Sequence, residues 1–405
     1  MIIFGVEARG LKHYHAGTER TCAPAATLVA FAAAREAVGI TRLANVTGLD
    51  RIGIPVFMAV RPNARSLAVS QGKGADADAA RASAMMEAIE LWHAEHVVAP
   101  LRHDSYRQLA RDGAVLAIER LPLRPRAVVR RDVAHEWIAG EDLATGTPVW
   151  VPFEAVSMNT VIAADRHRTF AGGTNGLASG NEPLEAIVHG LLELVERDAV
   201  TLFHLGPDTA RDGLRVRGDT VEDPICRDLL DKIARAGLEI ALWDVTADTG
   251  VPCCLAALAD PTDPALGIYR GYGAHLDGSV ALARAITEAA QSRLTAIAGS
   301  RDDNLPGVYS GTQDPARVAR ERQFYFDPAP ARPWAPVLPG TADFAEDLEV
   351  LLARLRAVGV AQVVAVPLAQ PALGVPVVKV FAPGLEHYLF APGWQPGARA
   401  RRRAS

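Results

Sequence analysis

The 405-residue chain is poor in the features that would assign it quickly. It has four cysteines, Cys22, Cys226, Cys253 and Cys254, and none stands in a CxxC spacing. That excludes a zinc ribbon and a thioredoxin-type dithiol, and VPCCLAALAD reads as an apolar buried strand. No window approaches the roughly 18 apolar residues of a membrane span. The opening apolar run is too short for a signal peptide and is soon followed by Glu7. These absences predict a cytoplasmic protein with no membrane contact. An excess of one charge is missing too: 42 Lys and Arg stand against 47 Asp and Glu, for a net −5, which excludes the broad basic surface of a nucleic-acid binder. The one basic run, ARARRRAS at 398–405, reads as part of a flexible solvated tail covering 391–405. There is no GxxxxGK[ST], because glycine follows Lys73 in QGKGAD, and GIYRGYGAH does not satisfy GxGxxG. Neither a P-loop nor a dinucleotide-binding fold is available, and no 20- to 50-residue repeat suggests a solenoid.

What is present is globular: 49% hydrophobic and 22% charged residues are near the average of folded domains. The pattern predicts helices over 24–39, 75–97, from about 181 to 203, over 280–299 and over 343–359. Strands are predicted at 53–60, 66–74, 148–153, 238–246, 253–260, 362–368 and 375–384. The fold class expected is mixed α/β (α+β), with parallel and antiparallel pairing. An N-terminal part (1–65) leads into a core (66–390), within which the arginine- and proline-rich stretch 100–165 reads as an insertion or cap.

Three helices carry polar stripes. In SAMMEAIELWHAEH, Ser83, Glu87 and Glu90 fall within roughly one sixth of the helix circumference at about 100° per residue. Asn181, Glu185, His189, Glu193 and Glu196 occupy about a third of the next long helix, and Arg284, Glu288 and Gln291 repeat the spacing on a third. Three readings compete: a solvated face, a carboxylate-bridged iron site, or a cage for magnesium and a nucleotide. A solvated face ordinarily mixes lysine with glutamate at i,i+4, and these stripes hold almost none. The iron reading rests on Glu90-Leu-Trp-His93, but Glu185 and His189 are one residue too far apart for a second ExxH. His93 is therefore expected at the surface or behind the site. Both acidic helices follow glycine-rich turns, SQGKG and GGTNGLASG, whose backbone N–H groups suit an anion. Carboxylates beside anion-binding turns call for a bridging cation, and magnesium takes one or two carboxylates and completes its shell with phosphate oxygens and water.

These residues resemble the YcaO superfamily over most of the chain. The likeness lies in Gly72-Lys73-Gly74 followed by Ser83, Glu87 and Glu90, then NGLA (175–178) with Asn181, Glu185, Glu193, Glu196, Arg197 and Asp198. The resemblance implies a YcaO-type ATP-binding fold in which ATP and Mg2+ are cofactors. It implies metal ligands Glu87, Glu90, Glu185, Glu193 and Glu196. It also implies ATP contacts from Arg20, Thr27, Lys73, Ser83, Asn181, Arg197, Arg284 and Gln291, with Arg301 as a further candidate; no single catalytic residue is implied. Leu91 stands where an arginine often follows the second glutamate of ExxE, and the C-terminus lacks the proline-rich ending of many azoline-forming members. TRLANVTGLDRIGIPVFMAVRP and SAMMEAIELWHAE are similar to members that work with a TfuA-type partner. The implied activity is ATP-dependent O-phosphorylation of a peptide backbone amide, giving a thioamide. The alternatives are an azoline-forming cyclodehydratase of a ribosomal peptide pathway and a non-catalytic nucleotide- or peptide-binding protein. A peptide or protein substrate and a homodimeric state are implied with it.

Overall fold

The structure, a computed structural model, describes all residues except 9, 162–168, 212, 264–266, 304–313, 336–340, 392 and 405. Its architecture is mixed α/β. A seven-stranded sheet runs in the order Leu177–Ser179, Val377–Phe381, Val364–Pro367, Ala134–Asp142, Pro148–Pro152, Ala114–Val115, with Leu101–Ser105 also paired to Ala134–Asp142. A five-stranded sheet has the order Ile268–Ala274, Cys253–Ala259, Glu239–Asp244, Arg215–Arg217, Arg332–Pro333, and a three-stranded sheet joins Arg42–Asn45, Val56–Val60 and Val69–Lys73. Pairing is antiparallel except where Val149 meets Ala114 and Val216 meets Arg332.

Three long helices, Ala77–Glu95, Pro183–Leu205 and Gly278–Ala298, pack between these sheets. The first is capped by Asp76, which accepts from Ala79 N, and the third by Asp277, which accepts from Ser279 N. Pro183 starts the second, where its missing N–H leaves no helical bond unmade. The first helix rests on strands Val56–Val60 and Val69–Lys73, and its Ala84, Met85, Ala88 and Ile89 share one core with Phe57 and Ala59 and with Trp137, Val151 and Val364 of the large sheet. The second buries Leu184, Val188, Leu191 and Val195 against Trp243, Leu255 and Val380. The third packs Ala281, Ala285 and Ile286 on Leu242, Cys254 and Leu258. Each helix thereby commits its apolar flank to a sheet, and the polar stripe is left for the space between helices.

Several expectations are corrected here. The described part of the stretch expected as an insertion or cap, 100–161, supplies four strands to the seven-stranded sheet, and Trp137 and Ile138 are fully buried; residues 162–165 lie outside the described residues. The prolines and arginines between 120 and 131 lie in the connection ahead of strand Ala134–Asp142, which hides a strand pattern that long-range pairing completes. The region 24–39 forms two short helices, Pro24–Ala30 and Ala32–Ala37. Gly72-Lys73-Gly74 is not an anion-binding turn, because strand Val69–Lys73 runs through it. A Cβ on Gly72 would sit 2.0 Å from Ala84 N, so its glycine serves the close approach of the first helix to that strand. GIYRGYGAH works the same way as a strand: at Gly273 a Cβ would meet Ala281 O at 2.1 Å. The basic C-terminus is helical over Ala398–Ala404, and Arg399 is buried rather than solvated. Its guanidinium reaches fully buried Asp198 at 2.8 Å, an attraction that outweighs the tail's tendency to stay free.

Candidate active site

The three polar stripes face one another across a single cleft of about 2340 Å³, counted out to open solvent. All thirteen residues that the resemblance implies as metal ligands or ATP contacts line it: Arg20 and Thr27 from the N-terminal segment, Lys73 from its strand, Ser83, Glu87 and Glu90 from the first helix, Asn181, Glu185, Glu193, Glu196 and Arg197 on or just before the second, and Arg284 and Gln291 from the third. Glu288, Arg301 and Asp303 join them. Sequence reasoning left out Ser179, Gln71 and Thr21, which orient site residues. Nothing in a lone serine or glutamine on a strand announces such a role.

The cleft is densely cross-linked. Glu90 accepts hydrogen bonds from Ser179 N at 2.9 Å and Ser179 Oγ at 2.7 Å. Glu193 accepts from Gly176 N at 3.1 Å. Arg197 lies 3.6 Å from Glu193 and 3.4 Å from Glu196. Lys73 Nζ is 2.6 Å from Glu288, and Gln291 donates to Gln71 O at 2.7 Å. Glu185 holds the N-terminal segment: Oε2 accepts from Thr21 N at 3.1 Å and Thr21 Oγ1 at 2.8 Å, and Asn181 Nδ2 reaches both oxygens at 3.2 Å. Arg20 adds an ion pair at 3.6 Å, and Thr27 Oγ1 donates to Asn181 Oδ1 at 2.8 Å. Oε2 of Glu185 has thus used its acceptor capacity, and only Oε1 keeps a lone pair to offer.

Two motif residues lie elsewhere. Asp198 points to the far side of its helix, where it accepts from Glu386 N and Arg399. His93 is corrected from an expected surface or supporting histidine to an interior one with no exposed area, its Nδ1 held 2.9 Å from Ile89 O. Three residues beyond Glu90, the helix has turned about 60° toward the core.

Electrostatics reveal a deficit of positive charge. Seven carboxyl groups line the cleft (Glu87, Glu90, Glu185, Glu193, Glu196, Glu288, Asp303) against five cations (Arg20, Lys73, Arg197, Arg284, Arg301), an excess of two. Burial, opposed by Arg301 and Lys73, pushes the Glu87 carboxyl up to about 7. Burial pushes Glu90 up to about 8, with Glu87 and Glu193 adding repulsion. Glu196 is raised, chiefly by burial and against the pull of Arg197. Burial would raise Glu288 too, but Lys73, Arg197 and Arg284 together hold it below the usual range. His189 is kept neutral by burial and by Arg284, whose NH2 lies 3.4 Å from His189 Nε2. Buried carboxylates that hold protons for want of a cation fit a divalent ion. Among the described residues, however, no three His, Cys, Asp or Glu side chains stand close enough to hold an ion by themselves. A bound ion would therefore need a ligand such as phosphate to complete its shell, as expected for magnesium held by one or two carboxylates.

The chain belongs to the YcaO family. The family profile described as YcaO cyclodehydratase, ATP- and Mg2+-binding, matches residues 71–386. An uncharacterised protein in the tfuA 3′ region of Rhizobium leguminosarum bv. trifolii is 38% identical over 96% of this chain and 93% of its own. The structure of YcaO from Methanopyrus kandleri, bound with AMPPCP and Mg2+, superposes with a TM-score of 0.74 at 26% identity, over 95% of this chain and 97% of that one. A heterocyclase in complex with substrate and cofactor shares the fold at a TM-score of 0.81 and 21% identity; this chain, 95% of it covered, spans 55% of that one. Among the described residues no helix is long and apolar enough to cross a membrane.

Proposed function

We propose that this protein is an ATP- and magnesium-dependent enzyme that phosphorylates the oxygen of a peptide backbone amide and, with a TfuA-type partner, converts the amide to a thioamide. The observation that carries this is the convergence of thirteen polar residues on one cleft, in which burial pushes the Glu87 and Glu90 carboxyls up to about 7 and about 8. Glu87, Glu90, Glu193 and Glu196 are the residues available to hold magnesium, with Glu185 Oε1 beside them. Magnesium bound there supplies charge neutralisation for a triphosphate. Lys73, braced by Glu288, and Arg197, braced between Glu193 and Glu196, present cations at fixed positions for phosphate oxygens. Arg284, steadied by neutral His189, does the same from the third helix. Arg20 and Thr27 close the cleft from the N-terminal segment.

Amides resist nucleophiles because their oxygen leaves poorly. In the proposed reaction a nucleophile adds to the carbonyl carbon and the oxygen, taking the electron pair, attacks the γ-phosphorus of ATP while ADP departs. Expulsion of phosphate then gives a thioamide when the nucleophile is sulfide, or an azoline when it is a side-chain thiol or hydroxyl. Phosphoryl transfer of this kind asks the protein for positioning and charge stabilisation more than for covalent chemistry, which suits a site of carboxylates and cations. The relative in the tfuA 3′ region supports the thioamide branch, while the family's description as cyclodehydratase supports azoline formation as the second reading. A cytoplasmic, homodimeric enzyme fits both.

Purified protein should bind ATP only with magnesium; Glu87→Gln or Glu193→Gln variants that bind as wild type does would overturn the proposal. Mass spectrometry of peptides co-expressed with the protein and its tfuA-type neighbour separates the branches: exchange of oxygen for sulfur marks a thioamide, and loss of one water marks an azoline.

A further inference from the structure

A second cavity lies behind the loop at 172–177. It shares its wall with the cleft: Asn175 and Leu194 line the cavity, while their neighbours Thr174 and Glu193 line the cleft. Its lining is mostly apolar, with Leu121, Phe170, Phe381 and Leu385 prominent. Its polar lining residues are Lys379, Asn175, Arg120, Glu386 and His387. Lys379 sits on the buried strand Val377–Phe381 with 3% of its surface exposed, and its Nζ donates to Gly173 O at 2.5 Å. Asn175 Oδ1 is buried with no hydrogen-bond partner.

An ammonium has three protons, and the Gly173 carbonyl takes one. The lining therefore holds spare donors and an unmet acceptor, the complement of a peptide bond with its C=O and N–H. An unsatisfied buried acceptor is costly, so a site of this kind is completed by its ligand. Resting on the proposed amide chemistry, we infer that this cavity binds the substrate peptide: it takes an apolar side chain next to the target amide, while Asn175 accepts the amide N–H and Lys379 donates to the carbonyl oxygen at the wall facing the nucleotide. Glu193 lies near enough to favour the charged ammonium, which burial otherwise disfavours. Lys379 thus links the two sites.

The test reads peptide binding apart from nucleotide. Saturation-transfer NMR with N-acetyl-leucine N-methylamide, the smallest probe carrying the amide pair and an apolar side chain, should show binding to the full chain without ATP. N-acetyl-glycine N-methylamide should bind about tenfold more weakly, the factor that burying an apolar side chain supplies. Lys379→Gln should weaken the leucine probe about tenfold through the lost hydrogen bond, and Ala171→Trp, which fills the half-buried rim of the cavity, should abolish binding. Both variants should keep magnesium-dependent ATP binding within about twofold of wild type. Unchanged probe binding in Ala171→Trp overturns the inference, as does equal binding of the glycine and leucine probes. Absence of ATP binding in wild type, with probe binding intact, would instead strike the proposed function and leave this cavity standing.

Discussion

Replacing Glu90 with glutamine tests the electrostatics of the cleft directly. The carboxyl is pushed from its ordinary 4.5 up to about 8, chiefly by burial, while the two hydrogen bonds from Ser179 pull the other way. A glutamate whose folded value is raised keeps its proton where the unfolded chain has lost it. The folded state then binds more protons between about pH 4.5 and 8, and stability falls as pH rises through that window. At about 1.4 kcal/mol per pH unit, the displacement corresponds to roughly 5 kcal/mol. Glu90 keeps some surface in the cleft, where water raises the effective dielectric, so we take about 2 kcal/mol as the lower figure. Glutamine retains an oxygen for Ser179 and never ionises. In chelator, Glu90→Gln should therefore match wild type near pH 5 and exceed it by about 2–5 kcal/mol near pH 8.5. Glu87, pushed up to about 7, titrates in both proteins, and loss of the Glu90 charge removes a mutual repulsion that adds to the variant's advantage at high pH. Urea denaturation across this range is the assay. Adding ATP with magnesium near pH 8 should reverse the order, since an ion favours the ionised form. Parallel pH profiles for the two proteins would refute the reasoning.

Three further outcomes follow from the packing. Arg399→Ala strands Asp198, which is fully buried, and should cost about 3–5 kcal/mol; thermal melting reads it, and a loss under about 1 kcal/mol would contradict the buried pair. Glu185→Ala frees Thr21 and Asn181 together, so about 2 kcal/mol is lost and trypsin should cut after Arg20 much faster; unchanged cleavage would show that the N-terminal segment is held by something else. Gly72→Ala places a methyl 2.0 Å from Ala84 N, which overpacks the helix–strand contact by more than about 3 kcal/mol; soluble protein melting at the parental temperature would disprove that contact.

The class of fold and the family were legible in the residues because their signals are local or recur at short spacing. A helical period of about 3.6 residues puts Ser83, Glu87 and Glu90 on one arc wherever the helix lies. The apolar flanks beside the stripes specify which side meets a sheet. Interior strands were harder. Ala134–Asp142 reads AHEWIAGED, polar at several positions, and becomes a central strand because Leu101–Ser105, Pro148–Pro152 and Val364–Pro367 pair with it. The glycines of QGKG and RGYG looked like turns or failed phosphate motifs, and their purpose shows only when a helix is seen resting on them.

What the sequence by itself determined, then, is which side chains share a helix face and which chemistry they suit, since backbone periodicity is encoded within a few residues. Tertiary structure alone decided that three faces meet at one cleft, and that Glu185 is engaged by a threonine 164 positions earlier. It also decided that Arg399, in an apparent tail, closes on Asp198. Those pairings depend on which surfaces exclude water together once the chain is packed, and no local spacing records that.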